Sequence, residues 1–200
     1  MNPYSTLLSN YSPSGQNLET LIVDGNYTKD NASHWNLTDA GTLDVSNNPK
    51  LVNLQANKCP NLITVKANGL ADLDIVSVTQ DTTVTTVNNE TVTTKLAELY
   101  VDHDAILDEV LGLETLSALS VYHANDSHFT SDFVMPAAAK STLTDLRVGN
   151  ENLSYAETRN NLTAVNLTDY TAVQHLETQN NPSVAALDIT GFKNSLVHID

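Results

Sequence analysis

Tyr100-Val101-Asp102-His103-Asp104, with Asp108 and Glu109 just behind, is a dense run of chemistry-bearing side chains. Carboxylate oxygens beside an imidazole are a donor set that holds divalent cations. The same residues also suit a solvated turn after a strand, and on spacing alone we assign no metal ligand. His123 and His128 flank Asn125-Asp126-Ser127 and offer a second, weaker ligand pair. His175 and His198 alternate with apolar neighbours and read as surface imidazoles. The chain has one cysteine, Cys59, which excludes an internal disulfide framework and reads as filling a small inward slot. No G-x-S-x-G, H-E-x-x-H, phosphate loop or dinucleotide glycine fingerprint occurs. The expectation is a non-enzyme with no catalytic residue and no cofactor.

Charge narrows the partners. With 9 Lys plus Arg against 24 Asp plus Glu, the formal net charge is −15. A surface so short of cations gains nothing from counterion release on phosphates, so nucleic acid and anionic membranes are poor partners. No apolar run approaches the ~18 residues of a membrane span, so no membrane insertion is expected. The opening MNPYSTLLSNYSPSG lacks a basic region followed by a long apolar one, and no signal peptide is visible. Nine N-x-S/T sequons are present. The abundance of Asn and Thr accounts for them without invoking glycosylation.

The elements that would carry these side chains repeat. Leu43-Asp44-Val45 opens a stretch in which Leu51/Leu54, Leu62/Val65 and Leu70/Leu73 each form an L-x-x-L pair, followed by Ala56, Ala67 and Ile75. Units of the same type begin at 18, 40, 96, 116, 143, 153, 162, 173, 184 and 196. Neighbouring units mostly lie about ten or eleven residues apart and alternate units about twenty to twenty-two, a period that signals stacked structural copies. The last apolar positions of each unit alternate with polar ones, which is strand periodicity. Pro49, Pro60, Gly69 and Pro182 interrupt any continuous helix. Stacking buries apolar rows that one unit alone would leave exposed.

The L-x-x-L-x-V core followed by Asn resembles the leucine-rich repeat, and the likeness covers nearly the whole chain. The compact units, as in LDVSNNPKL and LTDYTAVQHLETQNNPSV, are similar to repeats of bacterial surface proteins of that type. The resemblance implies a mainly β, right-handed solenoid of about 21–22 residues per coil with short parallel strands and few or no helices. It also implies an Asn ladder at Asn26, Asn48, Asn161 and Asn181, whose amides would satisfy backbone groups in the turns. Such proteins are commonly adhesive or surface-displayed.

Residues 1–16 carry no repeat and are expected to form an N-terminal cap, with Tyr4, Leu7, Leu8 and Tyr11 over the first coil; the solenoid spans 17–200. Two stretches read as insertions: 78–94, whose Thr/Val runs suit a projecting hairpin, and 122–142, an aperiodic loop. Residues 105–113 have helical spacing at Ile106, Val110 and Leu113. The last unit is expected to lack a cap, an open end that invites self-association.

If units 18, 40, 62, 96, 116, 143, 162 and 184 build one sheet, it is about 38 Å long. Glu98, Tyr100, Asp102, Tyr122, Asp145 and Arg147 would then crowd its outer face, with a rival patch at Tyr155, Glu157, Arg159, His175 and Glu177 on the other. Tyr and Arg dominate interface energetics. The expected function is therefore non-catalytic binding of a protein or glycan. The alternative is a structural subunit of a virion or surface layer, and an extracellular or virion-surface location suits both.

Overall fold

The computed structural model describes residues 10–11, 17–23, 41–57, 59, 62–79, 85–87, 90–92, 96–107, 110–129, 135–151, 160–181, 184 and 187–200. Its first strands are β1 (Asn10–Tyr11), β2 (Thr20–Ile22), β3 (Gly41–Asp44), β4 (Asn53–Gln55), β5 (Leu62–Lys66) and β6 (Ile75–Ser77). Next come β7 (Thr85–Val87), β8 (Glu90–Val92), β9 (Glu98–Tyr100) and β10 (Val110–Leu111). The last are β11 (Val121–His123), β12 (Asp145–Arg147), β13 (His175–Glu177) and β14 (His198–Ile199). Two 3-10 turns, Leu113–Thr115 and Ala137–Ser141, are the only helical elements among the described residues. No helix there is long and apolar enough to cross a membrane.

The protein is thus mainly β, built on two all-parallel sheets. The larger has eight strands in the order β1-β3-β5-β9-β11-β12-β13-β14, and the smaller has four in the order β10-β6-β4-β2. From β2 to β6 the chain crosses from one sheet to the other at every strand. β7 and β8 form a separate antiparallel pair with Val87 opposite Glu90.

Short alternating triplets explain the strands: the central residue points inward and its neighbours outward. In the large sheet the central residues align as Leu43, Val65, Leu99, Tyr122, Leu146 and Leu176, all buried. In the small sheet Leu21, Leu54 and Val76 align, and Val110 joins them beside Val76. Leu54, Val65, Leu99, Leu119, Leu146 and Val165 all lie in one hydrophobic cluster. Each fully buried Leu or Val stabilises the fold by about 1.5–3 kcal/mol relative to exposure. Leu51, Leu70, Leu73, Leu96 and Leu143 at the turns close the same core.

Several expectations need correction. Unit 18 does not join the large sheet, because Leu21 of β2 registers with Leu54. Among the described residues, units 162 and 184 form no strand there, although Leu162 and Val165 are buried; units 173 and 196 supply β13 and β14 instead. The helical spacing at 105–113 yields β10 and then a 3-10 turn, since Val110 gains a strand partner in Val76. Gly112 makes this turn possible: its φ is 85°, and a Cβ there would collide with the Thr79 backbone. The 122–142 stretch is not all loop: Tyr122 and His123 belong to β11, and Tyr122, Ala124 and Phe129 pack into the core. At the N-terminus β1 pairs with β3, whereas Tyr4, Leu7 and Leu8 fall outside the described residues.

Candidate recognition face

Strands β9, β11, β12 and β13 pair in register, so their outward residues form two rows. One row runs Glu98, Val121, Asp145, His175, and the other Tyr100, His123, Arg147, Glu177. Parallel pairing brings side chains of neighbouring strands within reach of one another.

Asp145 is the hub. Arg147 grips it with a fork, Nε to Oδ1 at 3.0 Å and Nη2 to Oδ2 at 3.1 Å. His123 Nε2 lies 3.1 Å from Oδ1 without hydrogen-bond alignment, and His175 Nδ1 lies 3.7 Å from Oδ2. The third Arg147 nitrogen, Nη1, reaches Glu177 Oε1 at 3.3 Å. The Tyr100 ring meets the His123 ring edge-on at 4.9 Å, and Lys66 Nζ sits 5.9 Å from the Tyr100 centroid. Thr64 Oγ1 donates to Glu98 Oε2 at 2.9 Å.

This geometry sets the electrostatics. Partial burial pushes the Asp145 carboxyl up, but His123 and Arg147 outweigh it and hold the group well below the usual carboxylate range. Burial, then the Glu98 charge, raises the Tyr100 phenol, so its hydroxyl stays a donor at neutral pH. Arg147 is raised by its bond to Asp145. The face therefore presents a fixed guanidinium, an oriented phenol edge, two imidazoles and partly neutralised carboxylates.

Of the six residues expected on this face, Glu98, Tyr100, Asp145 and Arg147 come together. Tyr122 does not: it is wholly buried, because its strand registers Tyr122 between Leu99 and Leu146, and Val121 and His123 face outward. Asp102 lies in the turn beyond β9, where it accepts from the Asn125 N–H at 2.9 Å and Asn68 Nδ2 at 3.2 Å. It ties turns together, and burial raises its carboxyl. His123, His175 and Glu177 were missed as members of this face. A signal existed for His123: the pair Tyr122/Ala124 matches Leu99/Val101 and Leu146/Val148, which places residue 123 outside. His175 and Glu177, expected in a rival patch, belong to the same sheet as Arg147. Their companions Tyr155, Glu157 and Arg159 lie outside the described residues.

Asn48 and Asn181 are buried and donate to backbone carbonyls. Asn48 Nδ2 donates to the Val45 carbonyl at 3.0 Å. Asn181 Nδ2 donates to the Val148 carbonyl at 2.8 Å, while its Oδ1 accepts the Leu162 N–H at 3.1 Å. Asn161 is exposed; the buried residue is Asn160, one position earlier. Asn160 Oδ1 accepts the Phe129 N–H at 3.1 Å, and Nδ2 reaches the carbonyls of Ala124, Val148 and Gly149 at 2.7, 3.2 and 3.2 Å. Asn26 lies outside the described residues.

The turns at one end of these strands gather further polar groups. Asp104 is fully buried, accepts the Leu70 N–H at 2.8 Å, and is pushed up to about 8 by burial. His103 Nδ1 lies 3.3 Å from Asp126 Oδ2. A ligand atom each from His103, Asp126 and Glu151 all fall within 4.8 Å of one another. Asn125 Nδ2 links this corner to the sheet face, donating to Glu151 Oε1 at 2.9 Å and Glu177 Oε2 at 2.7 Å. No protein-family model, curated protein or solved structure matches the chain.

Proposed function

We propose that the chain is a non-catalytic binding module of leucine-rich-repeat type that offers the outer face of its large parallel sheet to a protein or glycan partner. The observation that carries this reading is the Tyr100-His123-Asp145-Arg147-Glu177 network. Side chains already held by ion pairs and ring contacts on short paired strands lose little freedom when a partner docks. Arg and Tyr combine contact area with directed donors, which suits carboxylates, amides or sugar hydroxyls.

The repeat reading is supported by bonds between turns at steps of 22, 23 and 24 residues, as in Lys50–Asp72, Asp102–Asn125 and Ser120–Thr144. The step of 34 residues between Thr64 and Glu98 falls where β7 and β8 are added. A second reading, a structural subunit, is favoured by β14. Val197, just before it, and Ile199, within it, are exposed, and its outer edge is unpaired among the described residues.

The test uses the full chain and a Tyr100→Ala/Arg147→Ala variant of matching thermal melt, both passed over a glycan array and a panel of extracellular protein domains. The binding reading expects ligands retained by the first and lost by the second. Ligands held equally by both proteins, or none held by either, would overturn it.

A further inference from the structure

We propose that His103, Asp126 and Glu151 form a binding site for a single divalent transition-metal ion, of which Zn²⁺ is the type. This site is separate from the sheet face and does not rest on the recognition reading.

The three residues come from successive turns, after β9, β11 and β12, and are brought together by the parallel stacking of those strands. The donor spacing already suits a shared ion. Two donors that share one ion at ~2.0–2.1 Å sit about 3.3 Å apart when the angle at the metal is tetrahedral. His103 Nδ1 and Asp126 Oδ2 already stand at 3.3 Å. All three donor atoms lie within 4.8 Å of one another, and Glu151 is exposed, so a small adjustment of its side chain brings the third donor to the same spacing.

The carboxylates are also preorganised. Asp126 is buried, with 2 % exposure; its Oδ1 accepts the Glu151 N–H at 3.1 Å, and its Oδ2 is the oxygen that faces His103 Nδ1. Glu151 is itself held by Asn125 Nδ2 at 2.9 Å. The His103 N–H donates to the Asn125 carbonyl at 2.7 Å, and the Asp126 N–H to the Gly149 carbonyl at 3.0 Å. The Glu151 carboxylate is thus oriented by Asn125 from outside the set and the Asp126 carboxylate by the Glu151 backbone, while the turn bearing His103 is fixed through its main chain.

Donor chemistry chooses the ion. One imidazole and two carboxylates suit Zn²⁺ and its neighbours; Ca²⁺ asks for six to eight oxygens, and Mg²⁺ for a near-octahedral oxygen shell. His103 and Glu151 are exposed, so the remaining coordination position faces solvent. Cys59 is buried elsewhere and does not compete.

The experiment takes the full chain without a polyhistidine tag, strips it with a chelator, and titrates Zn²⁺, Ca²⁺ and Mg²⁺ separately by calorimetry. We expect one Zn²⁺ per chain, tighter than either other ion, and a rise in melting temperature on saturation. Two variants avoid the risk of misfolding. His103→Gly keeps the left-handed backbone at φ 63°, and Glu151→Gln changes an exposed side chain. Each should weaken Zn²⁺ binding on the order of 100-fold, while the metal-free melt stays close to wild type. No saturable Zn²⁺ binding, unchanged affinity in both variants, or tighter binding of Ca²⁺ would each overturn the proposal.

Discussion

Asn160 and Asp104 show how much a single buried polar side chain does in this fold. The Asn160 amide sits among three backbone carbonyls and the Phe129 N–H. Asn160→Ala would strand several of these groups, each costing about 1–3 kcal/mol if left unsatisfied. Allowing for relaxation, a loss of about 2–4 kcal/mol is expected, read as a lower urea midpoint at unchanged m-value. Asp104 gives a pH signature. Its carboxyl titrates near 3.9 when unfolded and at about 8 when folded, so between those values the native state holds a proton that the unfolded state has lost. Its contribution to stability is therefore complete below about pH 4 and lost as pH rises through about 8. Asp104→Asn removes that dependence. Relative to wild type, the variant should gain stability from pH 4 to 8, by at most about 1.4 kcal/mol per pH unit, with a constant gap above. Urea midpoints at five pH values check it; a gap that shrinks as pH rises would contradict the assignment.

At the scale of the strand, register decides which tyrosine is core and which is surface. Tyr122 fills the row between Leu99 and Leu146, so Tyr122→Ala opens a cavity and should cost about 3–5 kcal/mol. Tyr100→Ala, on the outer face, should cost less than about 1 kcal/mol. The two denaturation curves, measured side by side, test the inward and outward assignment. The apolar alternation around Leu43, Val65, Leu99, Leu146 and Leu176 was legible in the sequence because each triplet has a large aliphatic centre and polar flanks. Tyr122 was not, since Val121 is equally apolar and an aromatic on a sheet reads as readily as surface. The Asn160/Asn161 choice was hidden for a similar reason: adjacent identical residues leave one-residue register to long-range pairing. The Val110–Leu111 strand was misread as helix because a two-residue strand gives no period of its own.

At the scale of the molecule, the common core makes both parallel sheets one packing problem, and against the acidic excess several of the described cations are held in ion pairs. Arg147 is engaged with Asp145 and Glu177, and Lys50 with Asp72. Val197 and Ile199 put exposed apolar side chains at β14. If the protein assembles, Val197→Lys/Ile199→Lys should abolish concentration-dependent association in sedimentation without changing the melt; a recognition module stays monomeric with either sequence. The corner formed by His103, Asp126 and Glu151 was only half visible beforehand. The run around His103 suggested a cation, but its partners lie 23 and 25 residues farther along each turn, at Asp126 and at Glu151. Only the stacking of turns joins them.

Everything above depends on how β5, β9, β11, β12 and β13 are aligned, and scalar couplings across hydrogen bonds in solution measure that alignment bond by bond. The fold requires couplings from the amides of Ala67, Val101, Ala124 and Val148 to the carbonyls of Tyr100, His123, Arg147 and Glu177, respectively. That pattern turns Tyr122 inward and unites Tyr100, His123, Asp145, Arg147 and Glu177 outside. Couplings displaced by one residue, with Val101 bonded to Tyr122 in place of His123, would reverse the two faces and contradict the account.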